Sequence, residues 1–326
     1  MVISVARMYG HAVRHLHEPA KGYRNYSYCL ETTDGRLLNI IIYKCEPEIL
    51  SRIKNANYVG DFLAERGMPA RRTADTRIAK LTGECIEKYA ALYEYLPGKT
   101  IPWEAYTMDH IKQLGKAMSD MHALLKKLPQ GNLPSVVDEC RALLGRMEQY
   151  FADDGVCDAM ARKLGLAISS NIARFTRILD AVSNLPSQPL HMDFVRSNIL
   201  FDEHEKAKIT GILDFEKAAW GPPVFDIART LAFLIVDCKY KEERKVRKYF
   251  LHSGYNKRGL SSFTPTPLLE HLLNFFLLYD FYKFLHHNPY ESLEQNEHFT
   301  RTRDFLLRRN LLTNQTSSAK QPTVLL

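Results

Sequence analysis

The chain has 326 residues, 45% of them hydrophobic and 25% charged, a mix that excludes a disordered, fibrous or collagen-like protein. That length exceeds what one small core organises, so two lobes are expected. The formal net charge, 44 − 37 = +7, comes from dispersed basic residues; the densest run, KYKEERKVRK at 239–248, has the pattern of a solvated helix face, so no nucleic-acid partner is expected.

The opening MVISVARMYGHAVRHLHEP carries no signal-peptide apolar core and reads as a folded helix. Six cysteines at 29, 45, 85, 140, 157 and 238 form no C-x-x-C pair, which points to reduced thiols and a cytoplasmic location. Next come two β-rich runs, RNYSYCLET (24–32) and RLLNIIIYK (36–44), split by Thr33-Asp34-Gly35, where Asp-Gly is a hairpin signal. The spacing of Ile49, Leu50, Ile53, Val59, Phe62 and Leu63 predicts a helix closing on Gly67. Strand-like pieces at 76–80 and 88–96 complete this half before Pro97-Gly98 breaks the pattern.

From Thr107 the pattern turns helical, with Ile111, Leu114, Met118, Met121 and Leu125 stepping by three and four. Further long helices are expected at about 136–152 and 155–184, then strand, loop, strand over 190–215, and helices through most of 224–310. The longest apolar stretch, Leu272 to Leu285, is interrupted by Asn274, Asp280 and Lys283 and falls short of the roughly 18 uninterrupted residues of a membrane span. No membrane partner is expected. The division is an N-terminal lobe over 1–96, a helical lobe over 97–310 and a disordered tail over 311–326.

The informative segment is PLHMDFVRSNILFDEHEKAKITGILDFEKAAWGPPVFDIA, residues 189–228. His191-x-Asp193-x4-Asn198 leads into the apolar Ile199 to Phe201, and Ile209 to Leu213 leads into Asp214. A hairpin between these two short strands brings Asp193, Asn198 and Asp214 to one edge. Phosphoryl transfer from a nucleotide requires this combination: a carboxylate that accepts the acceptor hydroxyl's proton, and hard oxygen ligands that hold magnesium against the phosphates. Asp193 suits the first role; Asn198 and Asp214 suit the second. His-x-Asp-x4-Asn alone is a weak signal, and Asp214 at the strand end makes it strong.

The chain resembles the aminoglycoside phosphotransferase and choline kinase superfamily, and its catalytic segment is similar to that of homoserine kinases of this type. KGYRNYSYCLET resembles the family's nucleotide-loop hairpin, IIIYK the strand ending in the phosphate-binding lysine, FLAERGMPA the end of the first large helix, and YEYLPGKTI the hinge between lobes. QLGKAMSDMHALL resembles the helix with its Leu-Gly and Leu-His pairs, here Leu114-Gly115 and Met121-His122. The resemblance covers residues 20–235. It implies an α+β, two-lobed protein-kinase-like fold, with a small N-terminal antiparallel sheet carrying one main helix and a larger, mainly helical lobe. It implies a kinase that uses ATP and Mg2+ on a small-molecule hydroxyl, working as monomer or homodimer. The alternative is a nucleotide-binding pseudokinase or scaffold without turnover.

Carried over by position, the resemblance gives Lys44 the α and β phosphates, Gly22, Tyr23, Arg24 and Asn25 the triphosphate loop, and the main chain of Glu94 and Leu96 the adenine. Asp193 becomes the base, Asn198 and Asp214 the metal ligands, and Asp226 a buried anchor for the catalytic loop. Arg196, three residues past the base, faces either the transferred phosphoryl group or an acidic acceptor. A basic chain offers no global field for a polycationic antibiotic, so an amino alcohol, hydroxy amino acid or sugar is the preferred acceptor. Three departures stand out. Met192 occupies the place of a usual Gly, a change expected to alter packing only. The helix glutamate that pairs with the lysine is missing among Asn55, Asn57 and Tyr58, leaving Glu46, Glu48 or Asp61 as substitutes. The glycine loop has only Gly22, so phosphate contacts must lean on Arg24 and Asn25. His191 is expected to organise its loop through backbone bonds, His122 to be a satisfied core histidine, and His286-His287 to lie on the surface.

Overall fold

A computed structural model describes residues 1–21, 25–82, 87–258 and 267–315. Its first lobe runs α1 (Val2–Met8), β1 (Val13–Leu16), β2 (Ala20–Lys21), β3 (Tyr26–Thr32), β4 (Leu37–Tyr43), α2 (Ile49–Ala64), β5 (Thr73–Thr82) and β6 (Glu87–Glu94). The strands pair antiparallel in the order β1-β3-β4-β6-β5, with β2 also on β3. The Asp34-Gly35 turn closes the β3–β4 hairpin, with Gly35 at φ +82, a left-handed conformation that suits glycine. Alternation along β4 then sorts its side chains. Leu38, Ile40 and Ile42 pack with Val2, Val5 and Ala6 of α1, while Ile41 and Tyr43 pack with Ile49 and Ile53 of α2. Helices cover both faces, which is why this strand reads as a nearly continuous apolar run.

The second lobe is built from α3 (Met108–Leu125), α4 (Val136–Phe151), α5 (Asp154–Leu164), β7 (Leu166–Ile168), α6 (Arg174–Ser183), β8 (Gln188–Leu190), β9 (Ile199–Phe201), β10 (Ile209–Ile212), β11 (Ala219–Gly221), α7 (Val224–Asp237), α8 (Glu243–Arg247), a π-helical stretch (Lys248–Gly254), α9 (Pro267–His287), α10 (Tyr290–Leu293), α11 (Glu297–Arg308) and β12 (Leu312–Asn314). Thr107 caps α3 by accepting the His110 N–H at 3.3 Å, and all five residues of the expected apolar stripe are buried. The apolar stretch at 272–285 forms most of α9, a core helix packed on α7; among the described residues no helix is long and apolar enough to cross a membrane.

The two-lobed α+β architecture agrees with the expectation; some elements differ. The helix expected over 155–184 breaks at Gly165, whose φ of +64 ends α5, and the chain passes through β7 before α6. β7 pairs with β12, Ile168 opposite Leu312, so residues 312–314 of the supposed disordered tail form a strand, while 316–326 lie outside the described residues. The short β1 and β2 carry too few residues for alternation to show.

Backbone bonds tie the hinge and the first lobe to the β9–β10 hairpin. On one side the Lys99 N–H donates to the Phe201 carbonyl at 3.0 Å and the Phe201 N–H returns to Lys99 at 2.9 Å. On the other the Arg71 N–H reaches the Ile212 carbonyl at 3.0 Å and the Ile212 N–H reaches Pro69 at 2.7 Å. Gly98, at φ +114, permits the first contact, since a Cβ there would collide with Thr210 Oγ1 and the Phe201 carbonyl.

Candidate active site

β8 delivers the chain into residues 191–198, which turn back into the β9–β10 hairpin. Ile199 lies opposite Ile212, and the Leu213 N–H donates to the Asn198 carbonyl at 2.8 Å. Asn198 and Asp214 therefore flank the open end of one hairpin, as their spacing predicted. The loop is fixed from α7. The Asp226 carboxylate accepts the backbone N–H groups of His191 (2.8 Å) and Met192 (2.6 Å) and lies 3.0 Å from His122 Nε2. Burial would raise the Asp226 carboxyl, but its bond to His122 and the neighbouring charges hold it below the usual carboxylate range. Thr230 Oγ1 adds a bond to the Phe194 carbonyl at 3.1 Å.

Met192 corrects one expectation. Its φ is +60, so the side chain that replaces glycine changes backbone strain as well as packing, at a cost of about 1–2 kcal/mol. The bond to Asp226 holds it there. Asp214 shares this left-handed conformation, also at φ +60.

Asp193 is buried, and each of its carboxylate oxygens is engaged. Asn198 Nδ2 donates to Oδ2 at 3.2 Å and to the Asp193 carbonyl at 2.9 Å, while Lys217 Nζ sits 2.8 Å from Oδ1. Burial pushes the Asp193 carboxyl up, but Lys217, with Arg229 and His191 behind it, brings the net displacement below the usual range. The group is ionised at neutral pH. With its amide nitrogen turned to Asp193, Asn198 keeps Oδ1 as an acceptor, and Asp214 makes no side-chain hydrogen bond or ion pair among the described residues. Two hard oxygen donors at one hairpin end fit magnesium. His191 organises the loop as expected: Nε2 lies 3.1 Å from the Leu213 carbonyl, Nδ1 accepts the Asp193 N–H at 3.2 Å, and the ring packs 4.5 Å from Phe215. His122, between Asp226 and Tyr255 Oη at 2.7 Å, is a satisfied core histidine.

The first lobe is less faithful to expectation. Gly22, Tyr23 and Arg24 lie outside the described residues. Asn25 Oδ1 accepts the Lys44 N–H at 3.2 Å, tying the loop's end to the strand's end. Lys44 itself is exposed one residue past β4 and makes no ion pair among the described residues. Of its suggested partners, Asp61 is turned to Thr73 at 2.7 Å, Glu46 reaches Arg52 at 3.9 Å, and Glu48 is exposed. Glu94 ends β6 with its N–H on the Arg72 carbonyl at 2.9 Å; the Leu96 N–H donates to no main-chain group among the described residues. Arg196 is exposed, without an ion pair among the described residues, and the buried Tyr106 hydroxyl has no hydrogen-bond partner among them.

Where a lysine–glutamate pair is expected, a different polar network stands. Tyr43 and Tyr93 share a 2.6 Å hydroxyl contact, and the Tyr93 hydroxyl donates to Asn57 Oδ1 of α2 at 3.0 Å. The Arg71 guanidinium lies 4.5 Å over the Tyr93 ring and donates to Glu216, two residues past Asp214, at 2.7 Å. Burial pushes the Tyr93 hydroxyl up to about 12, so it stays a neutral donor. Sequence reasoning missed this network, and it missed Lys217. The only sequence signal for Lys217 is its place three residues after Asp214.

A model of the phosphotransferase enzyme family matches residues 15–250. The chain belongs to that family. Its relatives include a homoserine kinase of Caulobacter vibrioides, 25% identical over 213 residues, and one of Chelativorans sp., 27% identical over 218 residues. Each match covers 65% of this chain, and it spans 63% and 62% of those relatives, under two thirds of their length. Among solved structures, an amicoumacin kinase in complex with AMP-PNP and Ca2+ superposes with a TM-score of 0.67 at 13% identity over 94% of both chains. A microcompartment-associated aminopropanol kinase gives 0.62 at 14% identity over 95% of this chain and 99% of its own. These likenesses establish the fold, and the family membership agrees with the resemblance read from the sequence.

Proposed function

We propose that this phosphotransferase family member moves the γ-phosphoryl group of ATP to the hydroxyl of a small molecule. One observation carries the reading: a buried, ionised Asp193 fixed by Asn198 at the same hairpin end as Asp214. In the reaction the acceptor oxygen forms the new bond to the γ-phosphorus, and its proton passes to Asp193. The bond from that phosphorus to the β–γ bridging oxygen breaks, and ADP leaves with the electron pair. Asn198 Oδ1 and the Asp214 carboxylate would hold magnesium, which supplies charge neutralisation at the phosphates. Asn25 and Lys44, with Gly22, Tyr23 and Arg24, would line the triphosphate, and the Glu94 and Leu96 main chain would meet adenine.

The acceptor is an amino alcohol or hydroxy amino acid in preference to a sugar or an antibiotic. Homoserine kinases among the relatives and an aminopropanol kinase among the structural neighbours support this, and the exposed Arg196 guanidinium suits an acceptor carboxylate. Three of the six basic residues in the run at 239–248 are taken up in ion pairs, Lys239 with Glu297, Lys245 with Glu242 and Arg247 with Glu270, which weakens the run as a nucleic-acid surface. A cytoplasmic monomer or homodimer is the proposed form. The test is ADP release with ATP and magnesium across homoserine, aminopropanol, sugars and aminoglycosides. Turnover confined to amino alcohols and hydroxy amino acids is expected; nucleotide binding without turnover on any acceptor would instead mark a scaffold.

A further inference from the structure

Asp193 presents a difficulty for the reaction just described. Both of its carboxylate oxygens are engaged, Oδ2 by Asn198 and Oδ1 by Lys217 at 2.8 Å. Each oxygen keeps a second lone pair for an acceptor hydroxyl, but an ammonium held against Oδ1 neutralises charge on the carboxylate and makes it a weaker proton acceptor than a free one. Asn198 is buried and also bonded to the Asp193 carbonyl, so it is fixed. The Lys217 side chain is 51% exposed on a long flexible stem, against 12% for the Asp193 carboxylate, so it is the partner free to move.

The other cations near the cleft have different commitments. Arg71 is buried against Glu216 and Arg229 against Asp280, at 2.7 and 3.1 Å. Lys44 stands past the strand end, where no described carboxylate positions it, and Arg196 lies beside Tyr106. Lys217 alone among these is an ammonium in contact with the base, on the turn that follows Asp214. A triphosphate brings several negative charges to this place and attracts an ammonium more strongly than one carboxylate does.

We propose that Lys217 is the γ-phosphate ligand of this kinase and that its departure from Asp193 unmasks the base when ATP binds. The inference rests on the phosphotransferase reading above. Lys217 forms no covalent bond: its ammonium exchanges the Asp193 oxygen for oxygens of the transferred phosphoryl group, and Asp193 recovers the full charge with which it accepts the hydroxyl's proton.

Direct titrations of ATP and ADP in magnesium test this with the wild type, Lys217→Met, Lys217→Arg and Asp193→Asn. Lys217→Met should weaken ATP about tenfold or more while leaving ADP within about twofold, and Lys217→Arg should keep most of the ATP preference. Asp193→Asn releases Lys217 from its competing carboxylate and should tighten ATP about threefold or more, although turnover is lost. Equal affinities of wild type and Lys217→Met for both nucleotides would overturn the proposal and leave the kinase reading standing, and so would parallel losses for ATP and ADP. Should Lys217→Met fail to fold, an Asp193→Asn protein with unchanged ATP affinity overturns it. A wild type that binds neither nucleotide sinks the kinase reading and this inference with it.

Discussion

The two walls of the cleft solve the same problem by opposite means. In the second lobe named bonds hold the loop, Asp226 to the His191 and Met192 amides, Asn198 to Asp193 and Leu213 to Asn198, while the Asp214 side chain makes no bond among the described residues. In the first lobe the family's charged pair gives way to tyrosine hydroxyls, Asn57 and a buried Arg71–Glu216 bridge reaching across from the other lobe. The difference is one of support: the groups proposed for chemistry sit on one short loop, whereas the first lobe's polar groups are joined by contacts between distant parts of the chain.

Breaking the loop should have the largest effect. Asp193→Ala is expected to lower the catalytic rate by about 10²–10⁴-fold, measured as ADP release with the best acceptor, because it removes the proton acceptor. Retained turnover within about tenfold would take Asp193 out of the base role. Asp226→Ala should cost about 3–5 kcal/mol of unfolding free energy in denaturant titrations, since two backbone donors and His122 lose one buried acceptor.

The bridge between the walls comes next. Arg71→Met strands Glu216, whose Oε2 is already buried without a hydrogen-bond partner among the described residues, and should destabilise the fold by about 3 kcal/mol. The double change Arg71→Met with Glu216→Gln should recover much of that loss; strict additivity in the double-mutant cycle would show the bridge to be energetically silent.

A pH series sharpens the comparison further. Burial would raise the Asp280 carboxyl, but Arg229 and Lys283 hold it down to about 2. A carboxyl whose folded pKa lies below its unfolded value of about 3.9 contributes stability that is fully present above that pH. It is lost as pH falls towards the folded value of about 2. Asp280→Asn should flatten this acid limb of the stability curve, and an unchanged limb would assign it to other carboxylates. The smallest effect belongs to Lys44→Ala. An exposed lysine with no ion pair among the described residues should change the KM for ATP by only about threefold, and a hundredfold rise would make it the principal phosphate ligand after all.

The sequence by itself determined the catalytic loop and the hairpin geometry. His191, Asp193, Asn198 and Asp214 fall within 24 consecutive residues of chain, the short apolar runs flanked by turn residues between them read as strands, and pairing those strands places the polar groups together. The α3 stripe and the β3–β4 hairpin were legible for the same reason, since periodicity and a turn residue are local signals. Only the tertiary structure decided the left-handed backbone of Met192, the pairing of β12 with β7, and the fates of Lys44, Lys217 and Arg71. Arg71 meets Glu216 across 145 residues of chain, and nothing in a polar linker announces a buried arginine. Lobe docking removes that guanidinium from water and sets it against Glu216, a pairing that no local pattern of the chain encodes.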